Sequence, residues 1–248
     1  MSTLQLVVRD PRIVLAIDTA TDTVVTGLGR VTTVPAGAPE VRVLAARAVS
    51  DGRRHAEILT TLVAEVLDEA GIGRDELDAV VVGTGPGPFT GLRVGMATGA
   101  GFGDALGLPV FGVCSLDAIA LAAGARDPRA DSVLVVTDAR RREVYWALYS
   151  DGGRTRVSGP EVSAPAVVAD RLAEVKVDAV GGSASHLRQT GWAGDDPVVT
   201  VPRVGALLGV AEHASATCAA PGPLVPLYLR RPDAVERQDH RTRTVSAP

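Results

Sequence analysis

The sequence predicts an α/β protein of two stacked units, each with a mixed sheet flanked by helices. Three observations predict it. In each half of the chain, strand-like segments meander first and then alternate with helical ones. The 248 residues are 46% apolar and 22% charged, an ordinary globular balance with ample material for a core. Aromatics make up only 3% while Ala, Val and Gly abound, which implies a core of small side chains and closely approaching backbones.

Residues 13–18, IVLAID, read as a buried strand ending on Asp18, and 23–29, TVVTGLG, as its hairpin partner. After a Pro/Gly loop, 41–49 is a third strand. Ile58, Leu59, Leu62, Val63, Val66 and Leu67 then recur at helical spacing until Gly71 stops the run. Residues 78–84 form a fourth strand, 90–107 a second helix and 109–113 a fifth strand. The pattern restarts with a helix at SLDAIALAAGA, strands at DSVLVVTDA and EVYWALYS, and a helix at SAPAVVADRLAEV. A strand at VDAVGG and a last helix at VPRVGALLGVAEHASA complete it, before an extended, Pro-punctuated PLVPLYLRRPDA and a polar tail expected to be disordered.

Composition narrows the function. A net charge of −4 argues against a general basic surface for nucleic acid, and scarce aromatics argue against a base-stacking platform. Arg140, Arg141 and Arg142, with Arg230, Arg231 and Arg237, leave room for a local phosphate contact. Cys114 and Cys218 are far apart without a CxxC, so a disulfide framework and a cysteine zinc site are not expected. No leader or apolar span is visible, and a cytoplasmic, membrane-free protein is expected.

The region 81–120 concentrates glycine at a strand-to-helix turn, GTGPGPFTG. No lysine follows these glycines as a Walker loop requires, and GPGPFT lacks the last glycine of a dinucleotide fingerprint. The remaining reading is a turn admitting positive φ, with Thr90 near the helix start, whose free N–H groups could face an anion. The helix that follows carries Gly95, Gly99 and Gly103 on one face, at a cost of about 1 kcal/mol each relative to Ala. Such a face suits close approach, either within the chain or by a neighbouring subunit.

Catalytic equipment is thin. His55, His186, His213 and His240 are dispersed, without HxxxH spacing, and no GxSxG elbow occurs. Ser115 and Ser183 are expected to cap helices. Cys114 precedes a helix where a thiolate could be stabilised, although a buried thiol is the plainer reading. Asp18, at a strand end, is the foremost carboxylate, and a turn aspartate satisfying its own loop is the competing account.

Five segments in order, AIDTAT, HAEIL, GTGPGPFTGLRVGMATGAGFGDALGLPVFGVCSLDAIA, DARRREVYWALY and PLYLRR, resemble the TsaB (YeaZ) family of tRNA threonylcarbamoyladenosine biosynthesis. The resemblance spans residues 13–231, and its central GPGxFTGLRxG with the trailing GVxSLDA is specific. It implies two actin-like lobes of the acetate/sugar-kinase, ribonuclease H-like type: residues 1–112 carrying the partner helices, 113–231, and a tail at 232–248. It further implies a non-catalytic paralogue that activates a TsaD-like catalytic subunit and recruits a TsaE-like ATPase. That assembly places threonylcarbamoyl on N6 of the adenosine beside the anticodon in tRNAs reading codons that begin with A. ATP and a divalent metal would then belong to the partner complex, with no tightly bound cofactor or metal here and self-association when the partner is absent.

The family's partner surface would fall on 53–70 and 90–107: His55, Ile58, Leu59, Leu62, Val66, Leu92, Arg93, Gly95, Met96, Gly99 and Gly103. Asp18, Thr19, Gly85, Gly87 and Thr90 would form a loop that can face a nucleotide or anion. The sequence departs from the family at Pro88, where serine is usual, which weakens any anion-binding role of that loop. The rival reading is an autonomous metallopeptidase-like enzyme or small-molecule kinase of the same fold.

Overall fold

The computed structural model describes residues 10–34, 39–50, 55–173, 175–215 and 221–230. Residues 53–54, Arg231, Arg237, Cys218, His240 and the 232–248 tail lie outside them.

The first sheet has the order β3-β2-β1-β4-β5, from β1 (Arg12–Asp18), β2 (Thr23–Thr32), β3 (Glu40–Ser50), β4 (Ala79–Gly83) and β5 (Val110–Val113). β1 pairs antiparallel with β2 and parallel with β4, so the meander and the crossovers meet on the central strand. β1 is covered on both faces, which is why it reads as an unbroken apolar run. Ile13, Leu15 and Ile17 pack against α1 (His55–Ala70), whose Leu59, Leu62, Val63, Val66 and Leu67 are buried, and against Met96 of α2 (Phe89–Leu106). Each such side chain contributes roughly 1.5–3 kcal/mol of burial. Gly71, at φ 63, ends α1 in a left-handed turn, with Ile72 N–H donating to the Leu67 carbonyl.

The second sheet repeats the plan in the order β8-β7-β6-β9: β6 (Val133–Asp138), β7 (Val144–Ser150), β8 (Thr155–Ser163) and β9 (Ala179–Gly182). α4 (Pro165–Leu172) and α5 (Ala184–Gln189) flank it. α3 (Ser115–Gly124) joins the lobes, setting Leu116, Ile119, Ala120 and Ala123 against Val133 and Val135 of β6. α6 (Val204–Ser215) returns to the first lobe, where Val204, Leu207 and Leu208 cover Val14 and Ala16 on the face of β1 opposite α1.

One strand and one α-helix escape the sequence reading. β8 carries Gly159-Pro160 within polar surroundings, a combination tolerated because it lies at a sheet edge where an N–H can be spared. α5 is only 6 residues long, too short for a periodic pattern.

The segment 221–230 runs as an extended strap, as its prolines predict. Leu224 packs on the first lobe's core, while Leu227 and Leu229 pack on the second's. Leu227 N–H donates to the Thr84 carbonyl at 2.9 Å, and Arg230 binds the Ala139 carbonyl and the Glu143 carboxylate of the β6–β7 turn.

Candidate functional site

The β4–α2 loop is sealed inside the protein. Asp18 is 0% exposed, accepting from Ser115 Oγ at 2.5 Å and from Ala20 N–H at 2.9 Å. Burial pushes its carboxyl up to about 6, against the opposing pull of those two hydrogen bonds. Ser115 Oγ in turn accepts from Gly85 N–H at 3.3 Å, and Ser115 N–H donates to the Gly85 carbonyl. Thr19 Oγ1 donates to the Gly91 carbonyl at 2.7 Å and accepts Gly95 N–H at 3.1 Å, which fixes the first turn of α2. Gly87 lies against the Ala20 backbone, where any Cβ would collide. The expectation of an anion-facing loop is therefore corrected for Asp18, Thr19, Gly85 and Gly87, whose polar groups face inward; Thr90 alone of the five is exposed.

The glycine stripe has the same outcome. A Cβ at Gly95 would strike Thr19, at Gly99 Val82, and at Gly103 Val110, so the stripe packs on the lobe's own sheet. Leu59, Leu62, Val66, Leu92 and Met96 are buried beside it, and His55 and Ile58 are half-buried. These residues build the helix–sheet interface rather than an open face, and Arg93 alone of the expected partner residues is exposed. Periodicity located the face correctly but could not say what covers it.

What α1 and α2 turn outward is different and was not anticipated. Ala56, Thr60 and Ala64 of α1, and Ala97 and Gly101 of α2, are exposed, and a Cβ at Gly101 would meet nothing within 4 Å. At the start of α2, Phe89 and Tyr228 stack with centroids 4.6 Å apart and remain 37% and 39% exposed. The Arg93 guanidinium lies 3.7 Å over the Phe89 ring and donates from Nε to the Tyr228 hydroxyl at 3.1 Å. Exposed rings are conspicuous in a chain with so few aromatics, a composition signal from which the sequence reading drew no site.

Between the lobes lies a cleft of about 620 Å³, lined by Thr21, Asp22, Thr137, Asp138, Arg140, Ser183, His186 and Arg188. Arg140 reaches Asp22 at 2.8 Å and Asp138 at 3.2 Å. Arg140, Arg141 and Arg142 all hold positive φ, at 61°, 53° and 63°, in the left-handed region that β-carbons disfavour. Ser183 precedes α5 as expected of a cap, but its hydroxyl makes no capping bond and is bound to His186 instead. A larger groove of about 680 Å³ between β3, α3 and α6 is mainly apolar, and its Arg47 is engaged by Glu65 and Glu69. Cys114 is buried and desolvation pushes its thiol up to about 12, which disfavours the thiolate and fits a plain buried cysteine. Among the described residues no group of three His, Cys, Asp or Glu side chains could hold a metal ion, and no helix is long and apolar enough to cross a membrane.

Paired meander–helix–strand lobes meeting at a cleft define the actin-like, acetate- and sugar-kinase class of α/β proteins. Within that class the family model "TsaD: tRNA N6-adenosine threonylcarbamoyltransferase" matches residues 47–220, and the chain belongs to this family. It is similar to TsaB and YeaZ proteins. Escherichia coli TsaB, a "tRNA threonylcarbamoyladenosine biosynthesis protein", is 34% identical over 127 residues, covering 50% of this chain and 54% of that one. The solved structure of YeaZ from Pseudomonas aeruginosa superposes with a TM-score of 0.67 at 28% identity, over 88% of this chain and 100% of that one. Mycobacterial relatives are 48% identical: the chain spans 93% of one from Mycobacterium tuberculosis and 56% of a longer one from Mycobacterium leprae.

Proposed function

We propose that this chain serves tRNA threonylcarbamoyladenosine synthesis as an accessory subunit, pairing with a TsaD-like catalytic partner and leaving the transfer itself to that partner. The observation that carries the reading is the exposed Phe89–Tyr228–Arg93 cluster at the start of α2, beside a strip of small residues, Ala56, Thr60 and Ala64 of α1 and Ala97 and Gly101 of α2, that Glu57, Glu65 and Glu69 accompany on the outer surface. Small residues let a helix approach closely, and aromatic–arginine clusters are the side chains that dominate binding energy at protein interfaces. Self-association in the absence of the partner uses the same face. A TsaE-like ATPase joins the pair, ATP and a divalent metal act in the partner complex, and this chain holds neither tightly. tRNA reaches the assembly through the complex, on adenosines beside the anticodon in tRNAs reading codons that begin with A.

The test is co-purification of the full chain with a TsaD-like subunit, combined with nucleoside analysis of tRNA after depletion of this chain. Loss of N6-threonylcarbamoyladenosine, restored by the wild-type chain, is expected. Undiminished modification after depletion overturns the reading.

A further inference from the structure

The interlobe cleft brings a serine, a histidine and an aspartate into contact. Ser183 Oγ is 2.7 Å from His186 Nδ1, and His186 Nε2 is 3.3 Å from Asp138 Oδ1. Asp138 Oδ1 accepts Arg140 N–H at 2.6 Å and faces His186 Nε2 as an ion-pair contact, a negative charge that favours the ring proton on Nε2 and leaves Nδ1 as the acceptor for the serine O–H. Ser183 Oγ thus reaches a base whose other side faces an acid, the set of groups that activates nucleophilic serines in hydrolases, with Ser185 Oγ beside it at 3.1 Å from Ser183 Oγ and 3.4 Å from Nδ1.

The fold builds this juxtaposition. β6 and β9 run parallel, with Val136 paired to Gly182, so Asp138 and Ser183 emerge side by side at the carboxyl end of the sheet. Ser183 N–H donates to the Val136 carbonyl at 2.8 Å, and Leu187 N–H donates to the Ser183 carbonyl, fixing the serine backbone on both sides. Gly182, at φ 100, makes the sharp strand-to-helix turn that lifts the hydroxyl clear of the strand. The three side chains are partly exposed and line the cleft of about 620 Å³. Carboxyl ends of strands are where open α/β sheets place their ligands.

We propose that Ser183, His186 and Asp138 form a second site on this chain, a serine hydrolase centre for small activated esters with polar acyl groups. Hydroxyls of Thr21, Thr137 and Ser185 in the same cleft suit a polar acyl group. Ser183 Oγ adds to the ester carbonyl carbon as its proton passes to His186 Nδ1. The tetrahedral adduct collapses, breaking the bond to the leaving alkoxy oxygen, which takes that proton from His186 and departs as an alcohol. Water then adds to the acyl-serine with a proton going to Nδ1. The second adduct breaks at Ser183 Oγ, which regains the proton, and a carboxylic acid leaves. Asp138 acts as a positioning residue, holding the ring and balancing the transient imidazolium.

The experiment uses the full chain without partner or tRNA, so its outcome is independent of the accessory role. p-Nitrophenyl acetate reports turnover, and a fluorophosphonate probe followed by peptide mass spectrometry reports which serine is labelled. The expected result is a fluorophosphonate adduct on Ser183, with ester turnover falling at least about 100-fold in Ser183→Ala and in His186→Gln. Asp138→Asn keeps an acceptor for Arg140 N–H while losing the charge; it should lower kcat with KM unchanged, and Asp138→Glu should restore part of it. Thermal melting checks that the variants fold. Should Ser183→Ala fail to fold, the adduct on the wild-type chain decides. An unlabelled Ser183, or turnover equal in wild type and a folded Ser183→Ala, overturns the proposal.

Discussion

Arg140, at the tip of the β6–β7 hairpin, meets Asp22, at the tip of the β1–β2 hairpin, at 2.8 Å and so joins the two lobes across the mouth of their cleft. Both side chains are 59% exposed, and ion pairs of this kind contribute about 0–1 kcal/mol. Asp22→Ala is accordingly expected to lower stability by no more than about 1 kcal/mol in urea unfolding. A larger loss would show that the pair is shielded from solvent.

Asp18 gives the protein a pH signature. Its carboxyl rises from 3.8 to about 6 through burial, so the folded state holds this proton more tightly than the unfolded chain does. The resulting stabilisation is complete below pH 3.8 and is lost as pH rises through about 6. Comparing wild type with Asp18→Asn by denaturant unfolding between pH 4 and 7 should reveal a difference that moves against wild type by roughly 2 kcal/mol. A flat difference would mean that the carboxylate is already satisfied as an anion.

The glycines of α2 divide into two kinds. Gly99→Leu drives a side chain into Val82 and is expected to cost about 1–3 kcal/mol or more, whether or not a partner is present. Gly101 points to open space, so Gly101→Ala should stabilise the isolated chain by about 0.5–1 kcal/mol through helix propensity. Gly101→Trp should leave melting nearly unchanged and abolish pairing with a TsaD-like subunit in pull-down. If pairing survives, the partner face lies elsewhere.

The stacked rings offer a finer probe. Phe89→Ala and Tyr228→Ala are each expected to weaken partner binding by about 2 kcal/mol in calorimetry, with fold stability changing much less, because both rings are over a third exposed. Equal losses of stability and affinity would assign the cluster to folding alone.

Much of the architecture was legible because its signals are local. β1 announces itself as an apolar run, and α1 by a stripe that buries Leu59, Leu62, Val63, Val66 and Leu67. The site was less legible because its meaning depends on partners distant in sequence. Gly95, Gly99 and Gly103 share a face by spacing, yet nothing local says that Thr19, Val82 and Val110 occupy it. Asp18 looked available at a strand end, and only the arrival of Ser115 encloses it. Ser183 read as a cap because its local context is a helix start, whereas the strand pairing that brings Asp138 beside it is not written in either segment.

The strap of residues 221–230 has a mechanical result. Leu224 is seated in one lobe and Leu227 in the other, and an extended chain spans only about 3.5 Å per residue, so the tether between the two anchors is short. Hinge bending wide enough to engulf a guest would have to tear one anchor loose. The strap thus ties the width of the gap between the halves to the seating of three leucines.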